Sequence, residues 1–316
     1  MQEILIFLNS HDDFIIIGHV SPDGDTIGSC VAMWYGLVQT GKKAAIYIDG
    51  DIPKKYSFIT DGCKEAFTAL SDRSYGAAIA LDCGDETRLG KAAGMFKNAK
   101  ATALCDHHRT NTEFAEINLV RGDDGATGLI VFDILNGLGV RIDERIANAL
   151  YTAIATDTGN FQYSSTDEAI LLCASKLRAC GADITLIGEK VYRERTFAAT
   201  KLIGRAVDRI ALHSGGRIAT TYILLSDYDE TGAVKQDCDE LINYAREIDT
   251  VEVAVFLRQV EPEKFKLSLR SSHYADVSKI ALIFEGGGHA RAAGGTMFGD
   301  VEGCIEKLVT VAEKYL

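Results

Sequence analysis

The chain has 316 residues and a mass of 34.2 kDa, more than one hydrophobic core usually serves, so we expect two domains. Its 47% hydrophobic and 25% charged residues exclude a disordered, collagen-like or coiled-coil chain. The net charge of −12 argues against a protein that coats long nucleic acid. A small anionic substrate remains compatible with this charge, because bound divalent cations can reverse the sign of the charge in one cleft.

The sequence also indicates where the protein works. No apolar run reaches the roughly 18–20 residues that a membrane helix needs, and the N-terminal MQEILIFLNSHDD has neither a basic segment nor a small-residue cleavage site. We therefore expect a cytoplasmic protein. The eight cysteines are scattered without a CxxC pair, which predicts reduced, mostly buried thiols and neither a disulfide framework nor a zinc knuckle.

The first half of the chain alternates short apolar runs with helical patterns. Strands are predicted at 14–18, 44–48, 77–81 and 101–105, with a helix at 26–40. Because the strands are apolar on both faces, they predict a parallel sheet that is covered on both sides.

Helices then dominate from about 125 to 209, and a second alternating region follows. Its strands are predicted in RIATTYILL, VEVAVFLRQ and KFKLSLRSS. The fold class is therefore α/β, with a doubly wound, mainly parallel N-terminal sheet and a second, smaller α/β domain. We place the first domain at 1–190, a linker at 191–205 and the second domain at 206–316.

Four segments carry side chains suited to chemistry, and three of them follow predicted strands. They are GHVSPDGD with His19, Asp23 and Asp25, LDCGD with Asp82, CDHH with Asp106, His107 and His108, and TDTG with Asp157 at a helix end. Since the carboxyl ends of parallel strands meet at one edge of a sheet, we expect these segments to converge.

Such a cluster predicts a metal site. Five carboxylates so close together would repel one another unless cations were bound between them. Carboxylate and imidazole ligands without thiolate favour Mn²⁺ or Mg²⁺, with Fe²⁺, Co²⁺ and Zn²⁺ as alternatives. The number of ligands is enough for two ions that share a carboxylate, which predicts hydrolysis of a phosphate ester or anhydride.

The four motifs, in this order, resemble those of the DHH phosphoesterase superfamily. A fifth, GGGHARAAGG at 286–295, resembles the glycine-rich motif of its DHH-associated second domain. The two-domain layout resembles the nanoRNase/pAp-phosphatase branch, which is NrnA-like and exopolyphosphatase-related. The resemblance implies an active site in the cleft between the two domains. Many relatives carry Ser-Thr-x-Glu after the double histidine, whereas this chain has ATGL at 126–129.

The resemblance also implies a role for each residue of the cluster. One metal would be held by His19, Asp23 and Asp82, and the other by Asp25, Asp82, His107 and Asp157. Asp106 would orient the histidines, and His108 would face the scissile phosphate or the attacking water. Taken alone, Asp82 and Asp25 could each be a helix cap, so the joint placement carries the hypothesis.

The second domain offers candidate substrate-binding residues. Three glycines allow close backbone approach to an anion, and the neighbouring cationic and hydroxyl side chains suit a phosphate or a nucleotide edge. These candidates are Gly286, Gly287, Gly288, His289, Arg291, Arg270, Ser271 and Ser272. The alternatives are a tight turn between helices for the glycine motif and an ordinary edge strand for the Arg-Ser-Ser segment.

The resulting hypothesis is a 3′–5′ exonuclease of short RNA that also acts on pAp or pApA. An inorganic pyrophosphatase or exopolyphosphatase is the alternative among enzymes. A non-catalytic nucleotide sensor is the alternative from another class. The expected partners are short RNA oligonucleotides or small phosphorylated nucleotides, without long nucleic acid or membrane. The oligomeric state stays open, a homodimer included.

Overall fold

The computed structural model describes residues 1–238 and 240–316. The chain divides into two compact units, Met1–Glu194 and Arg195–Leu316, and each is described by itself. Across the described residues, no helix is both long and apolar enough to span a bilayer. Within residues 1–238 and 240–316, which include all eight cysteines, no disulfide is formed; seven cysteines are buried, while Cys180 is exposed.

The first unit contains five strands and eight helices among its residues. The strands are β1 (Phe14–Gly18), β2 (Ala44–Ile48), β3 (Ala77–Leu81), β4 (Thr102–Asp106) and β5 (Ile117–Val120). The helices are α1 (Gln2–Ser10), α2 (Gly24–Gln39), α3 (Ser57–Thr60), α4 (Ala93–Lys97), α5 (Thr127–Gly137), α6 (Glu144–Asp157), α7 (Glu168–Ala179) and α8 (Ile184–Ile187).

The five strands form one sheet in the order β2-β1-β3-β4-β5, and every pairing is parallel. All residues of β1 and β3 are buried, as expected for central strands covered on both faces. The predicted parallel sheet is therefore confirmed. Strand β5 was not predicted, because this four-residue edge strand is only half-buried and its sequence, INLV, gives a weak pattern.

Helices α2 and α6 pack against each other with almost no space between their backbones. A Cβ atom on Gly28 would lie 2.3 Å from the carbonyl oxygen of Ala149, and one on Gly24 would lie 2.4 Å from a side-chain carbon of Thr156. The two helices are therefore antiparallel. This contact brings the first turn of α2 beside the last turn of α6.

The described residues of the second unit, 195–238 and 240–316, form a mixed sheet and five helices. The strands are β6 (Ala211–His213), β7 (Ile218–Ile223), β8 (Val253–Glu261), β9 (Lys264–Ser271), β10 (Gly287–His289) and β11 (Ala292–Phe298). The helices are α9 (Phe197–Asp208), α10 (Leu225–Thr231), α11 (Leu241–Arg246), α12 (Val277–Ile283) and α13 (Val301–Ala312). The sheet order is β10-β11-β9-β8-β7-β6, in which only the pairing of β7 with β8 is parallel among the described strands.

The structure differs from two details of the sequence analysis, the residues of the predicted linker and the alternative considered for the glycine motif. The predicted linker at 191–205 includes most of α9, whose Leu202 and Ala206 are buried in the core of the second unit. The segment VYRERTF is polar and obscured the start of this helix. The glycine motif is not a turn between helices but a hairpin of β10 and β11, where a Cβ on Gly286 would lie 2.1 Å from the carbonyl oxygen of Gly294.

The α2–α6 contact yields a stability test. We expect Gly28→Ala to lower the free energy of unfolding by about 1–3 kcal/mol, because the new methyl group meets a backbone carbonyl that cannot move independently. Calorimetric unfolding of the full chain would measure the effect. The matched control is Gly204→Ala in α9, where a Cβ meets nothing within 4 Å and should stabilise the helix by about 0.5–1 kcal/mol. Equal unfolding temperatures for the two variants would contradict the packing argument.

Candidate metal centre

The four sequence motifs of the first unit come together, as the parallel sheet requires. His19 directly follows β1, Asp82 directly follows β3, and Asp106 is the last residue of β4. These strands are neighbours in the sheet, so their carboxyl ends lie side by side. Asp157 is the last residue of α6 and reaches the same edge from the helical layer.

One group of ligand atoms surrounds His19. Its Nε2 lies 3.6 Å from Oδ2 of Asp23 and 3.5 Å from Oδ2 of Asp82. Its Nδ1 lies 2.8 Å from the carbonyl oxygen of Val20, to which only a protonated Nδ1 can donate. Its Nε2 therefore faces the two carboxylates. These three side chains can hold a metal ion.

A second group surrounds His107. Its Nε2 lies 3.0 Å from Oδ2 of Asp157, 3.9 Å from Oδ2 of Asp25 and 3.6 Å from Oδ1 of Asp82. Its Nδ1 donates to the carbonyl oxygen of Asp124 at 3.1 Å. Its Nε2 is therefore aimed at the carboxylates. Asp25, His107 and Asp157 form another set with ligand atoms close enough for a metal ion.

Asp82 lies between the two groups and directs one oxygen to each. Oδ2 faces His19 and Oδ1 faces His107. Hydroxyl groups fix both oxygens: Thr26 donates to Oδ2 at 2.6 Å and Thr127 donates to Oδ1 at 3.1 Å. The backbone of Asp82 has a φ of +61°, a left-handed conformation that aspartate tolerates better than most residues. Asp82 thus presents one fixed oxygen to each group.

Asp25 is completely buried and accepts hydrogen bonds from the first turn of α5. The backbone N–H groups of Thr127 and Gly128 donate to its two oxygens at 2.6 and 2.8 Å, and the Ser29 hydroxyl donates at 3.0 Å. Asp25 is not the cap of α2, since Asp23 accepts from the Thr26 N–H in that role.

The ATGL segment, which departs from the Ser-Thr-x-Glu of many relatives, therefore contributes to the centre. It supplies two amide donors to Asp25 and the Thr127 hydroxyl to Asp82. Sequence reasoning did not identify Thr26, Ser29 or Thr127, because serine and threonine next to an acidic motif are too common to be a signal.

A third arrangement surrounds His108. Its Nδ1 donates to Oδ1 of the buried Asp106 at 2.7 Å, and the Asn111 amide donates to Oδ2 of the same carboxylate at 2.5 Å. Asp106 therefore holds His108, whereas His107 is held by a backbone carbonyl. The His108 side chain is 41% exposed, so its Nε2 can reach a molecule in solution. The sequence analysis did not identify Asn111, because its contact with Asp106 depends on the path of the loop after β4.

The electrostatics of the cluster favour bound cations. Burial, reinforced by the charges of Asp23 and Asp157, raises the pKa of Asp82 to about 6. Burial and the neighbouring carboxylates raise the pKa of Asp25 well above its usual range. Burial alone would lower the pKa of His107, but its hydrogen bond with Asp157 and the charges of Asp25 and Asp157 raise it to about 10.

The donor set fits hard or borderline divalent cations. Its members are carboxylate oxygens and imidazole nitrogens. Two buried cysteines, Cys30 and Cys83, lie close enough to feel the carboxylates, but burial raises the pKa of both thiols well above its usual range. These cysteines stay protonated and offer no thiolate to a soft metal.

The candidate residues of the second unit lie at the β9–β11 end of its sheet. Arg270 pairs with Ala292 in the register of β9 with β11, and His289 and Gly287 are exposed on β10. Ser271 is buried and accepts from Nη1 of Arg291 at 3.3 Å. The structure thus brings these candidates together, while Ser271 and Arg291 already bond to each other.

Comparisons with known proteins agree with this geometry. The family model described as "DHH family, N-terminal domain" matches residues 13–154, and the "DHHA1 domain" matches residues 215–316. The chain belongs to the DHH family of phosphoesterases, and the resemblance seen in the motifs is confirmed.

Individual relatives show which branch of the family this chain is similar to. The chain is 31% identical over 304 residues to the bifunctional oligoribonuclease and PAP phosphatase NrnA of Thermus thermophilus, covering 95% of this chain and 89% of that relative. The protein of the same name from Bacillus subtilis is 22% identical over 94% of this chain and 93% of its own length. The crystal structure of an exopolyphosphatase-related protein from Bacteroides fragilis matches with a TM-score of 0.91 and 25% identity, over 99% of this chain and 95% of that one.

The raised pKa of Asp82 predicts how stability varies with pH. In the folded metal-free protein Asp82 holds its proton up to about pH 6, above the ordinary value of 3.8. Its stabilising contribution is therefore present below about pH 4 and is lost as the pH rises through 6. Relative to Asp82→Asn, the free energy of unfolding of the metal-free wild type should fall by up to about 3 kcal/mol between pH 4 and pH 7.

Thermal and urea unfolding of both proteins in EDTA would measure this difference. Added Mn²⁺ should raise the unfolding temperature of the wild type more at pH 7.5 than at pH 5, since the ion replaces protons on the ligands. Asp82→Asn should show little of this rise. A difference between the two metal-free proteins that does not change with pH would refute the assignment.

Proposed function

We propose that the protein is a metal-dependent phosphoesterase that hydrolyses short RNA oligonucleotides from the 3′ end and also acts on pAp or pApA. The observation that carries the proposal is Asp82, whose two oxygens face two separate histidine–aspartate groups. The similarity to oligoribonuclease and PAP phosphatase relatives along nearly the whole chain supports the substrate class.

Two divalent cations, most simply Mn²⁺, would occupy the two groups. His19, Asp23 and Asp82 would hold one ion. The other would be held by Asp25, Asp82, His107 and Asp157, as the sequence resemblance implies. When bound, such a pair activates water as hydroxide at neutral pH and neutralises the charge on a phosphoryl group.

The surrounding residues of the chain keep these ligands in one geometry. Thr26 and Thr127 prevent the Asp82 carboxylate from rotating, and backbone carbonyls hold both histidines in the tautomer that presents Nε2. Ligands that are already oriented lose little conformational entropy on binding and keep the attacking group in line.

His108 is placed to transfer a proton. Its hydrogen bond with Asp106, against the opposing effect of burial, raises the pKa of His108 above its ordinary value. In its protonated form, His108 can donate from Nε2 to a phosphate oxygen or to the leaving oxygen. Asp106 and Asn111 hold the ring in the required orientation.

The second unit would bind the rest of the substrate. The Arg270 guanidinium, the Ser272 hydroxyl, the His289 imidazole and the glycine-rich β10 strand are suited to phosphate and sugar oxygens. Arg291 and Ser271 would act largely through each other, because they already form a hydrogen bond. The location of the active site in a cleft between the domains stays a prediction.

Polyphosphate is the second candidate substrate, since the Bacteroides fragilis protein with the same fold is described as exopolyphosphatase-related. A metal centre of this kind would serve a phosphoanhydride as well as a phosphodiester. The sensor hypothesis is less supported, because binding alone would not require so many mutually repelling ligands in one space.

The proposal is tested by turnover with Mn²⁺ on pAp, pApA, a 5′-labelled RNA trinucleotide, pyrophosphate and long polyphosphate. We expect release of mononucleotides from RNA and pApA and of phosphate from pAp. Asp82→Ala should lower kcat/KM by about a thousandfold or more, as expected for a lost metal bridge. The matched control, Asp72→Asn, changes an exposed aspartate remote in sequence from the four motifs and should retain wild-type activity.

If only polyphosphate or pyrophosphate were hydrolysed, the proposed metal centre would be supported and the proposed nucleotide substrates would be refuted. Binding of pAp with no turnover of any of the five compounds would favour the sensor. If Asp72→Asn and Asp82→Ala lost activity equally, the proposed role of Asp82 as a shared metal ligand would be refuted.

His108 has a test of its own. His108→Asn should lower kcat by about a hundredfold, the usual size of a general acid's contribution, with Mn²⁺ affinity changed less than about twofold. Asp106→Asn should shift the alkaline limb of the kcat profile to lower pH, because the pKa of His108 loses its main support. Calorimetric Mn²⁺ titration beside the kinetics decides the matter: a large loss of metal affinity in His108→Asn would make His108 a ligand.

A further inference from the structure

Glu252 is a buried carboxylate immediately before β8. It is 3% exposed, and its oxygens accept from three successive backbone N–H groups, those of His273 at 3.1 Å, Tyr274 at 2.7 Å and Ala275 at 2.6 Å. Its own carbonyl oxygen accepts from the Ser272 N–H at 2.9 Å. Through its carboxylate and its backbone carbonyl, Glu252 thus accepts hydrogen bonds from every residue of the loop 272–275.

Burying the Glu252 carboxylate costs more free energy than burying an apolar side chain at this position would. Burying a carboxylate is unfavourable unless strong donors replace water, and Glu252 takes part in none of the ion pairs found among residues 1–238 and 240–316. The three amides are its compensation. These bonds restrict the backbone of the loop to one conformation.

The loop is also tied to the glycine-rich hairpin. The Ala275 carbonyl accepts from Nη1 of Arg291 at 3.1 Å, and the Val277 N–H donates to the Ala290 carbonyl at 2.9 Å. The Ser271 N–H donates to the Arg291 carbonyl at 3.1 Å. The loop and the hairpin that carries His289 therefore behave as one rigid edge of the second unit.

On this rigid edge Tyr274 directs its ring outward. The residue is 57% exposed, although its N–H is held by Glu252 and the next residue, Ala275, is buried. Exposing an aromatic ring on a fixed backbone leaves apolar surface in water. A flat partner that stacks on the ring would remove that surface, and nucleobases bind exposed tyrosines in this way.

We infer that Tyr274 contacts the nucleobase of the substrate and that Glu252 is the positioning residue that holds Tyr274 in place. This inference rests on the proposed function and goes beyond it, because it assigns base recognition to a loop outside the five motifs. The contact is a stacking contact, which discriminates nucleotides from base-free phosphates more than one base from another.

The test compares AMP with ribose 5-phosphate, its base-free counterpart, by calorimetric binding to the full chain. Tyr274→Ala should weaken AMP binding about tenfold, as the loss of one stacked base implies, and leave ribose 5-phosphate unchanged. Tyr274→Phe is the matched control and should bind AMP within about twofold of the wild type. With pAp, Tyr274→Ala should raise KM by a similar factor and leave kcat unchanged.

Glu252→Gln tests the positioning role, because a neutral glutamine is a weaker acceptor for the Tyr274 and Ala275 amides and places an N–H₂ donor against the His273 amide. It should weaken AMP binding, and the double variant with Tyr274→Ala should bind no worse than Tyr274→Ala alone, since both changes remove the same contact. Additive losses would refute the positioning role. If Glu252→Gln does not fold, the Tyr274 variants still decide the base contact, since that side chain is exposed.

The two hypotheses fail in different ways. Equal losses for AMP and ribose 5-phosphate in Tyr274→Ala, or no loss for either, would overturn the base contact even if the wild type cleaves RNA. Wild-type binding of AMP that depends on Tyr274, without hydrolysis of any nucleotide, would leave the base contact standing and overturn the proposed reaction.

Discussion

Negative charge buried beside negative charge is the constraint on which the rest of the first unit depends. Asp25 and Asp82 are almost fully removed from water. The charge of Asp82 raises the cost of ionising Asp25, and the charges of Asp23 and Asp157 raise the cost of ionising Asp82. The free energy of such an arrangement is acceptable only with protons or cations in place. The threonine hydroxyls and the α5 amides compensate part of this cost. The remainder is what gives a divalent cation its binding energy.

The scaffold that maintains this arrangement is made of small residues. Gly24 and Gly28 let α2 approach α6 until backbone touches side chain, and parallel strands bring the remaining ligands to the same edge. Because closely packed backbones have few alternative positions, the ligand geometry is set by helix contact and sheet register. The second unit uses another device, in which a buried carboxylate organises the loop around it.

The sequence was sufficient for four of the five parallel strands of the first unit and for the convergence of its four motifs, and insufficient for what supports them. Apolar runs predicted three strands to the residue, because burial on both faces leaves a continuous signal. Thr127 and Asn111 could not be recognised, since their contacts depend on where α5 and the loop after β4 lie in space. The β11 strand at Ala292–Phe298 contains AAGG, a poor strand former, and is held by its pairing with β9. No sequence pattern indicates that Glu252 is buried or that it binds the loop 272–275.

The hydrogen bonds to Asp25 have a consequence for the life of the protein in the cell. Ser29, Thr127 and Gly128 satisfy this carboxylate from within the fold, so the framework of the centre does not need an ion in order to form. Small zinc domains, by contrast, unfold when their metal is removed. Here the side chains that would hold the ions are already hydrogen-bonded within the fold. Loss of divalent cations would therefore withdraw the chemistry of the centre and leave its framework in place to be loaded again.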